Sequence, residues 1–109
     1  MKIALTDAFA QEKIRANHAL IQVIDPELNI NIIDLGLVYG LDFTIPNRIT
    51  VTMTLSTPHC PLGDAIESGV TNALGKVFPD YQVDIQLVWE PEWSIDLVSE
   101  AGKEQLGIK

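Results

Sequence analysis

The sequence predicts a two-layer α+β domain: a small mixed β-sheet with helices covering one face, in the order helix, strand, strand, helix, strand, helix. Three observations carry that expectation. Between residues 37 and 55, apolar and polar side chains alternate along two stretches separated by Pro46-Asn47, the pattern of a hairpin with one buried face. Between residues 61 and 78, apolar residues recur at i, i+3, i+4 and i+7, the period of an amphipathic helix. From Val83 onward the alternation returns, so a long helix separates two strands of one sheet.

Taken in order, the first helix is expected over residues 8–24, with Thr6 or Asp7 as its N-cap. Ala10, Ile14, Ile21 and Ile24, with Leu20 beside them, form its apolar stripe. His18 near that stripe reads as a structural or solvated residue. Pro26 ends the helix by pushing Asp25 out of the helical region. The stretch from Asp25 to Gly36 has neither period. It reads as an ordered loop in which Asp25 and Asp34 accept from nearby backbone N–H groups. A sharper reading makes Asp25 and Glu27 part of a site, since ordered irregular loops often carry function.

In the hairpin, Leu37, Tyr39, Leu41, Phe43 and Ile45 share one face, continued by Ile49, Val51, Met53 and Leu55. Val38, Gly40, Asp42 and Thr44, with Thr50, Thr52 and Thr54, form the other. The second helix starts at Pro61, a residue suited to a first turn, and buries Leu62, Ala65, Ile66, Gly69, Val70, Ala73, Leu74 and Val77. Gly69 on that stripe implies close packing against the sheet. Pro79-Asp80 closes the helix. The third strand turns Val83, Ile85, Leu87 and Trp89 inward and Asp84 and Gln86 outward. After the Glu90-Pro91-Glu92 break, Trp93 and Glu92 are candidates for a partner surface. Ser99 caps a short last helix ending at Leu106, with Gly107 as its stop.

The chain has 109 residues, and its 7 basic against 15 acidic residues give a net charge of -8. One domain with one modest core is expected. Such acidity repels nucleic-acid phosphates and anionic membrane surfaces, so neither is an expected partner. The N-terminal residues are too few and too polar for a signal peptide, and no apolar run reaches spanning length. A reducing, cytoplasmic setting is the expectation.

The only cysteine, Cys60, lies in Ser56-Thr57-Pro58-His59-Cys60-Pro61-Leu62-Gly63-Asp64, between strand and helix. Free N–H groups and the helix dipole at such a turn favour a thiolate. The alternative is a small buried hydrophobe, the usual state of a free cysteine. Prolines on both sides of His59-Cys60 stiffen the turn, and Ser56 and Thr57 add hydroxyls beside it. His59 offers a base, but neighbouring side chains on a turn diverge. If the Asp25 loop approaches this turn, two carboxylates and a thiolate converge. That mixed set suits iron or zinc with positions left open for a partner. One thiol excludes an intrachain disulfide and a self-sufficient four-cysteine cluster site.

Asp25-Pro26-Glu27-Leu28, Ile33-Asp34-Leu35-Gly36-Leu37-Val38, Thr57-Pro58-His59-Cys60-Pro61, Val88-Trp89-Glu90-Pro91-Glu92-Trp93 and Leu106-Gly107 occur in that order. Together they resemble the metal–sulfur cluster assembly factors, the PaaD-like and SufT-like proteins, over nearly the whole chain. The resemblance implies a fold related to the NifU-like cluster-assembly domains. It also implies a role in maturing iron–sulfur proteins, as a carrier or adaptor rather than a small-molecule catalyst. Its shared positions correspond here to Asp25, Glu27, Thr57 and Cys60, while His59 stands where a glycine is frequent. The mechanism expected is transient binding of iron or an iron–sulfur cluster through Cys60, with Asp25 and Glu27 completing the site. Partners would be client apoproteins and the assembly machinery, and a homodimer would bring a second thiol. Two alternatives stand beside it: a metal-free adaptor using acidic loops and Trp93, and a small enzyme with Cys60 as nucleophile assisted by Asp25 or Glu27.

Overall fold

The computed structural model describes residues 8–26, 28–55 and 63–107. Helix α1 spans Ala10–Leu20, followed by strands β1 (Ile24–Asp25) and β2 (Ile30–Asn31), β3 (Val38–Asp42) and β4 (Arg48–Met53). Helix α2 is Gly63–Val77, β5 is Gln82–Leu87, a 3-10 turn covers Ile95–Leu97, and α3 is Glu100–Leu106. The main sheet has the order β3-β4-β5, with β4 antiparallel to β3 and parallel to β5. Helix α2 is the crossover that parallel pairing requires. The α+β class and the element order match the expectation. The β1-β2 ribbon and the 3-10 turn are additions to it.

One apolar cluster joins the layers: Ala16, Ala19 and Leu20 of α1, Ile66, Val70 and Leu74 of α2, and Leu41, Ile49, Val51 and Met53 of the sheet. In β4 the buried residues alternate with half-buried Arg48, Thr50 and Thr52, which leaves one sheet face polar. Among the described residues no helix is long and apolar enough to cross a membrane.

The α1 stripe keeps Ala10 and Leu20 of the expected set and departs from it elsewhere. Ala16, Ala19, Leu20 and Val23 are buried, whereas Ile14, Ile21 and Ile24 are exposed. Helices α1 and α2 pack on each other, and the side chains at such a contact set how closely the axes approach. Gly69 belongs to this contact: a Cβ there would meet Val23 Cγ1 at 3.1 Å. Its close packing is therefore against the end of α1 rather than the sheet. Helix α1 is also shorter than expected. Its N-cap is Phe9, which makes no side-chain cap bond; Thr6 and Asp7 lie outside the described residues.

A bulge at Tyr39 changes the faces of β3. Val38 pairs with Met53 and Gly40 with Thr52, so Tyr39 is an extra residue in the ladder. The extra residue reverses the alternation. Val38, Leu41 and Phe43 point inward, while Tyr39 leaves the core face and donates its hydroxyl to the Pro91 carbonyl at 2.6 Å. Partial burial pushes the Tyr39 phenol pKa up. Ile45, expected inside, is exposed near the turn. At that turn Asn47 takes φ 60°, a left-handed conformation asparagine tolerates. Asp42 accepts from both the Thr44 N–H and its hydroxyl, which holds its carboxyl below the ordinary value.

Helix α3 follows the expected caps. The Ser99 hydroxyl accepts from Gly102 N–H at 3.0 Å, and Gly107 ends the helix at φ 77°.

Candidate functional site

The sheet end at which β4 and β5 both finish is where the expected chemistry would lie. In open sheets with parallel strands, ligands bind outside the carboxyl ends of those strands. The chain leaves β4 at Met53 and re-enters regular structure at Gly63, the N-terminus of α2. Helix α2 therefore presents the positive end of its dipole beside this sheet end.

A run of backbone hydrogen bonds ties the acidic ribbon to the same place. Ile32 N–H donates to the Val23 carbonyl at 3.0 Å, and Leu37 N–H donates to the Ile32 carbonyl at 3.0 Å. Thr54 N–H then donates to the Leu37 carbonyl at 2.8 Å, and Val88 N–H to Met53 at 2.9 Å. The end of α1, the β1-β2 ribbon, the start of β3 and the end of β4 are thus one hydrogen-bonded unit. Thr54, the penultimate described residue before the thiol-bearing segment, is buried.

Asp25 sits in this unit. It is fully buried, pairs with Ile30 across the ribbon, and its Oδ1 accepts from Leu28 N–H at 3.3 Å. Its carbonyl accepts from Asn29 N–H at 2.7 Å, closing a turn in which Asn29 takes φ 59°. The expected loop is thus an ordered hairpin-like ribbon, and Asp25 binds a backbone N–H as expected. Glu27, Ser56, Thr57, His59 and Cys60 lie outside the described residues.

Asp34 behaves differently from its expectation. Its carboxylate accepts from side chains rather than backbone: Ser99 Oγ at 2.9 Å on one oxygen and Asn31 Nδ2 at 2.7 Å on the other. Asp34 N–H donates to Asn31 Oδ1 at 2.8 Å, and its carbonyl accepts from Ser99 N–H at 2.7 Å. Gly36 follows at φ +75°, where an added Cβ would lie 2.3 Å from the Leu97 carbonyl oxygen. The C-terminal segment is clamped on this turn.

The tryptophans exchange the environments expected of them. Trp93 is half-buried against the core, and its indole N–H donates to the Leu35 carbonyl at 2.6 Å. Trp89, expected inside, is 45% exposed beyond the end of β5. Glu92 is exposed, next to a cis Glu90–Pro91 peptide. The Trp93–Leu35 and Ser99–Asp34 links escaped sequence reasoning. The Ser99 cap and the Gly107 stop were the signals that the tail carried an ordered structure.

A three-stranded mixed sheet under two packed helices, with a short ribbon tied to the end of its central strand, defines a class of small α+β domain. A solved protein of that class comes from Bacillus anthracis and is described as a domain of unknown function. It superposes with a TM-score of 0.84 at 35% identity, covering 94% of this chain and 100% of that one. Residues 11–85 match the family model described as iron-sulfur cluster assembly protein, and the chain belongs to that family. It is 38% identical over 104 residues to a Fe-S protein maturation auxiliary factor of Porphyromonas gingivalis, covering 95% of this chain and 99% of that protein. It is 40% identical over 91 residues to the maturation auxiliary factor YitW of Bacillus subtilis, covering 84% and 89% of the two chains. The iron–sulfur maturation family implied by the ordered motifs is the one to which the chain belongs.

Proposed function

We propose that this protein receives iron or an iron–sulfur cluster as cargo on the Cys60 thiolate and passes it to client apoproteins. Asp25 and Glu27 act as hard ligands or tune the thiolate, with Ser56, Thr57 and His59 shaping the turn around it. The observation that supports the reading is the hydrogen-bonded unit from Val23 to Thr54. It ties the ribbon that carries the buried Asp25 to the end of β4, the last described strand before the Cys60 segment.

One thiolate binds a cluster incompletely, and incompleteness suits a carrier. The remaining ligands come from the client, from a small thiol or from a second copy. A cargo held by one soft and one or two hard ligands is released more readily than one held by four thiolates. On this reading the protein acts as a carrier rather than an enzyme.

Anaerobic reconstitution with iron and sulfide, followed by absorption spectroscopy and metal analysis, tests this directly. The wild type is expected to take up iron with a thiolate-to-iron absorption band, and Cys60→Ser to lose that band. Client enzymes in cells should remain immature with Cys60→Ala. No iron uptake by the wild type, with client maturation dependent on the chain all the same, would make it a metal-free adaptor.

A further inference from the structure

Strand β5 ends the sheet, and among the described residues it pairs only with β4. Its outward groups follow from two bonds. Gln82 N–H donates to the Asn47 carbonyl at 2.8 Å and Val88 N–H to Met53 at 2.9 Å, so the even-numbered residues turn their peptide groups toward β4. Alternation along a strand then turns those of Val83, Ile85 and Leu87 to the outer edge. Exposed edges are ordinarily blunted by lysine, proline or a bulge. Gln82–Leu87 has neither lysine nor proline, and its register with β4 is unbroken.

Beside that edge runs an open groove of about 560 Å³ between β5 and α2. Its α2 wall is Asp64, Glu67, Ser68, Thr71 and Asn72, one helical face at i, i+3, i+4, i+7 and i+8. Among the described residues no basic side chain lines it. Asp84 on the β5 side is held by Arg48 at 3.1 Å, leaving Asp64 and Glu67 to set the sign of the groove.

We propose that the outer edge of β5 is a docking strand for an extended, basic segment of a partner protein, whose backbone pairs with Val83, Ile85 and Leu87 while its lysines or arginines face Asp64 and Glu67. Main-chain pairing supplies affinity that is indifferent to sequence, and alternate side chains supply selectivity. Charge decides the occupant. A second copy would set like charges against like, in a chain of net charge -8, whereas a basic strand is attracted. The surface is independent of the Cys60 reading, and it would hold a client or an assembly partner whether or not metal is carried.

Amide exchange of the full chain, followed residue by residue by NMR, tests the proposal. In the free protein the Val83, Ile85 and Leu87 amides should exchange fast while Asp84, Gln86 and Val88 are slow. Slow exchange at all six in dilute protein would mean that the edge is already paired, and slowing with protein concentration would mean that a second copy takes it. Either result overturns the proposal. An acetylated peptide of about eight residues alternating lysine and valine, the length of an ordinary strand, should then protect the three outer amides. The same peptide N-methylated at alternate amides keeps its charge and should bind about tenfold more weakly. The Asp64→Asn/Glu67→Gln chain should bind the unmodified peptide about fivefold more weakly. Equal binding of the methylated peptide, or of a glutamate–valine peptide, would reduce the attraction to non-specific charge or apolar contact and sink the idea.

Discussion

The acidic segment contains two turns that begin alike and end differently. In one, Asp25 Oδ1 accepts from the N–H three residues on, at Leu28; in the other, Asn31 Oδ1 accepts from the N–H three residues on, at Asp34. Both are side-chain-capped turns of the kind aspartate and asparagine make anywhere. What separates them arrives from far along the chain. Ser99, Leu97 and Trp93 come back onto Asp34, Gly36 and Leu35 and tie that turn to the C-terminal segment. The Asp25 turn is instead tied through Val23, Ile32 and Leu37 to the end of β4. One turn is a clamp on the C-terminal segment, and the other is tied to the end of β4. Role is set here by long-range partners and not by local sequence.

Breaking the clamp at Gly36 should have the largest effect on stability. An alanine would combine a positive φ with a methyl group pressed on the Leu97 carbonyl, and backbone cannot yield as a flexible side chain does. Together these cost about 3 kcal/mol. Urea unfolding of Gly36→Ala should show a correspondingly lower midpoint with an unchanged slope. A midpoint near that of the wild type would mean that the C-terminal segment does not hold this turn.

Asp34→Ala comes next. It removes acceptors from Ser99 Oγ and Asn31 Nδ2 in a half-buried site, a loss of about 2 kcal/mol. Ser99→Ala removes the α3 cap as well as the Asp34 contact, about 1 kcal/mol or slightly more. The two losses should not add. A shortfall of about 1 kcal/mol in the double variant is expected of directly bonded partners. Strict additivity in the thermodynamic cycle would show that the 2.9 Å contact contributes nothing to the clamp.

The sequence exposes one part of this contrast and hides the other. Helix α2, the hairpin and the α3 caps are local: each rests on a periodicity or a cap within a few residues, and each was legible. The Tyr39 bulge was not, because inserting one residue into a ladder leaves a pattern that still looks like alternation. The α1 stripe misled because Ile14, Ile21 and Ile24 have the larger side chains while the smaller Ala16 and Ala19 are the ones buried. The environment of Trp93, like the partners of Asp34, is set by residues far along the chain. Trp93 packs against the core and donates to the Leu35 carbonyl, 58 residues away. For the candidate site, Asp25 was legible as a capped turn residue. Its burial was not, because burial depends on the ribbon and on the start of β3. The remaining members, Glu27, Ser56, Thr57, His59 and Cys60, lie outside the described residues.

Asp25→Asn sharpens the comparison with the smallest disturbance to the fold. Asparagine fills the same volume and keeps an oxygen for the Leu28 N–H, so the turn retains its local bond. It also removes a charge from a fully buried position, which relieves desolvation and offsets the loss of any charge-assisted contact. The net change in unfolding free energy should stay below about 1 kcal/mol, well under that of Asp34→Ala. If the Asp25 turn serves the cargo site, this variant remains folded yet takes up less iron on anaerobic reconstitution and leaves client enzymes immature. A variant that instead unfolds like Asp34→Ala and, when folded, matures clients at the wild-type level would make Asp25 a second clamp. The thiol-bearing turn would then have to find its hard ligands elsewhere.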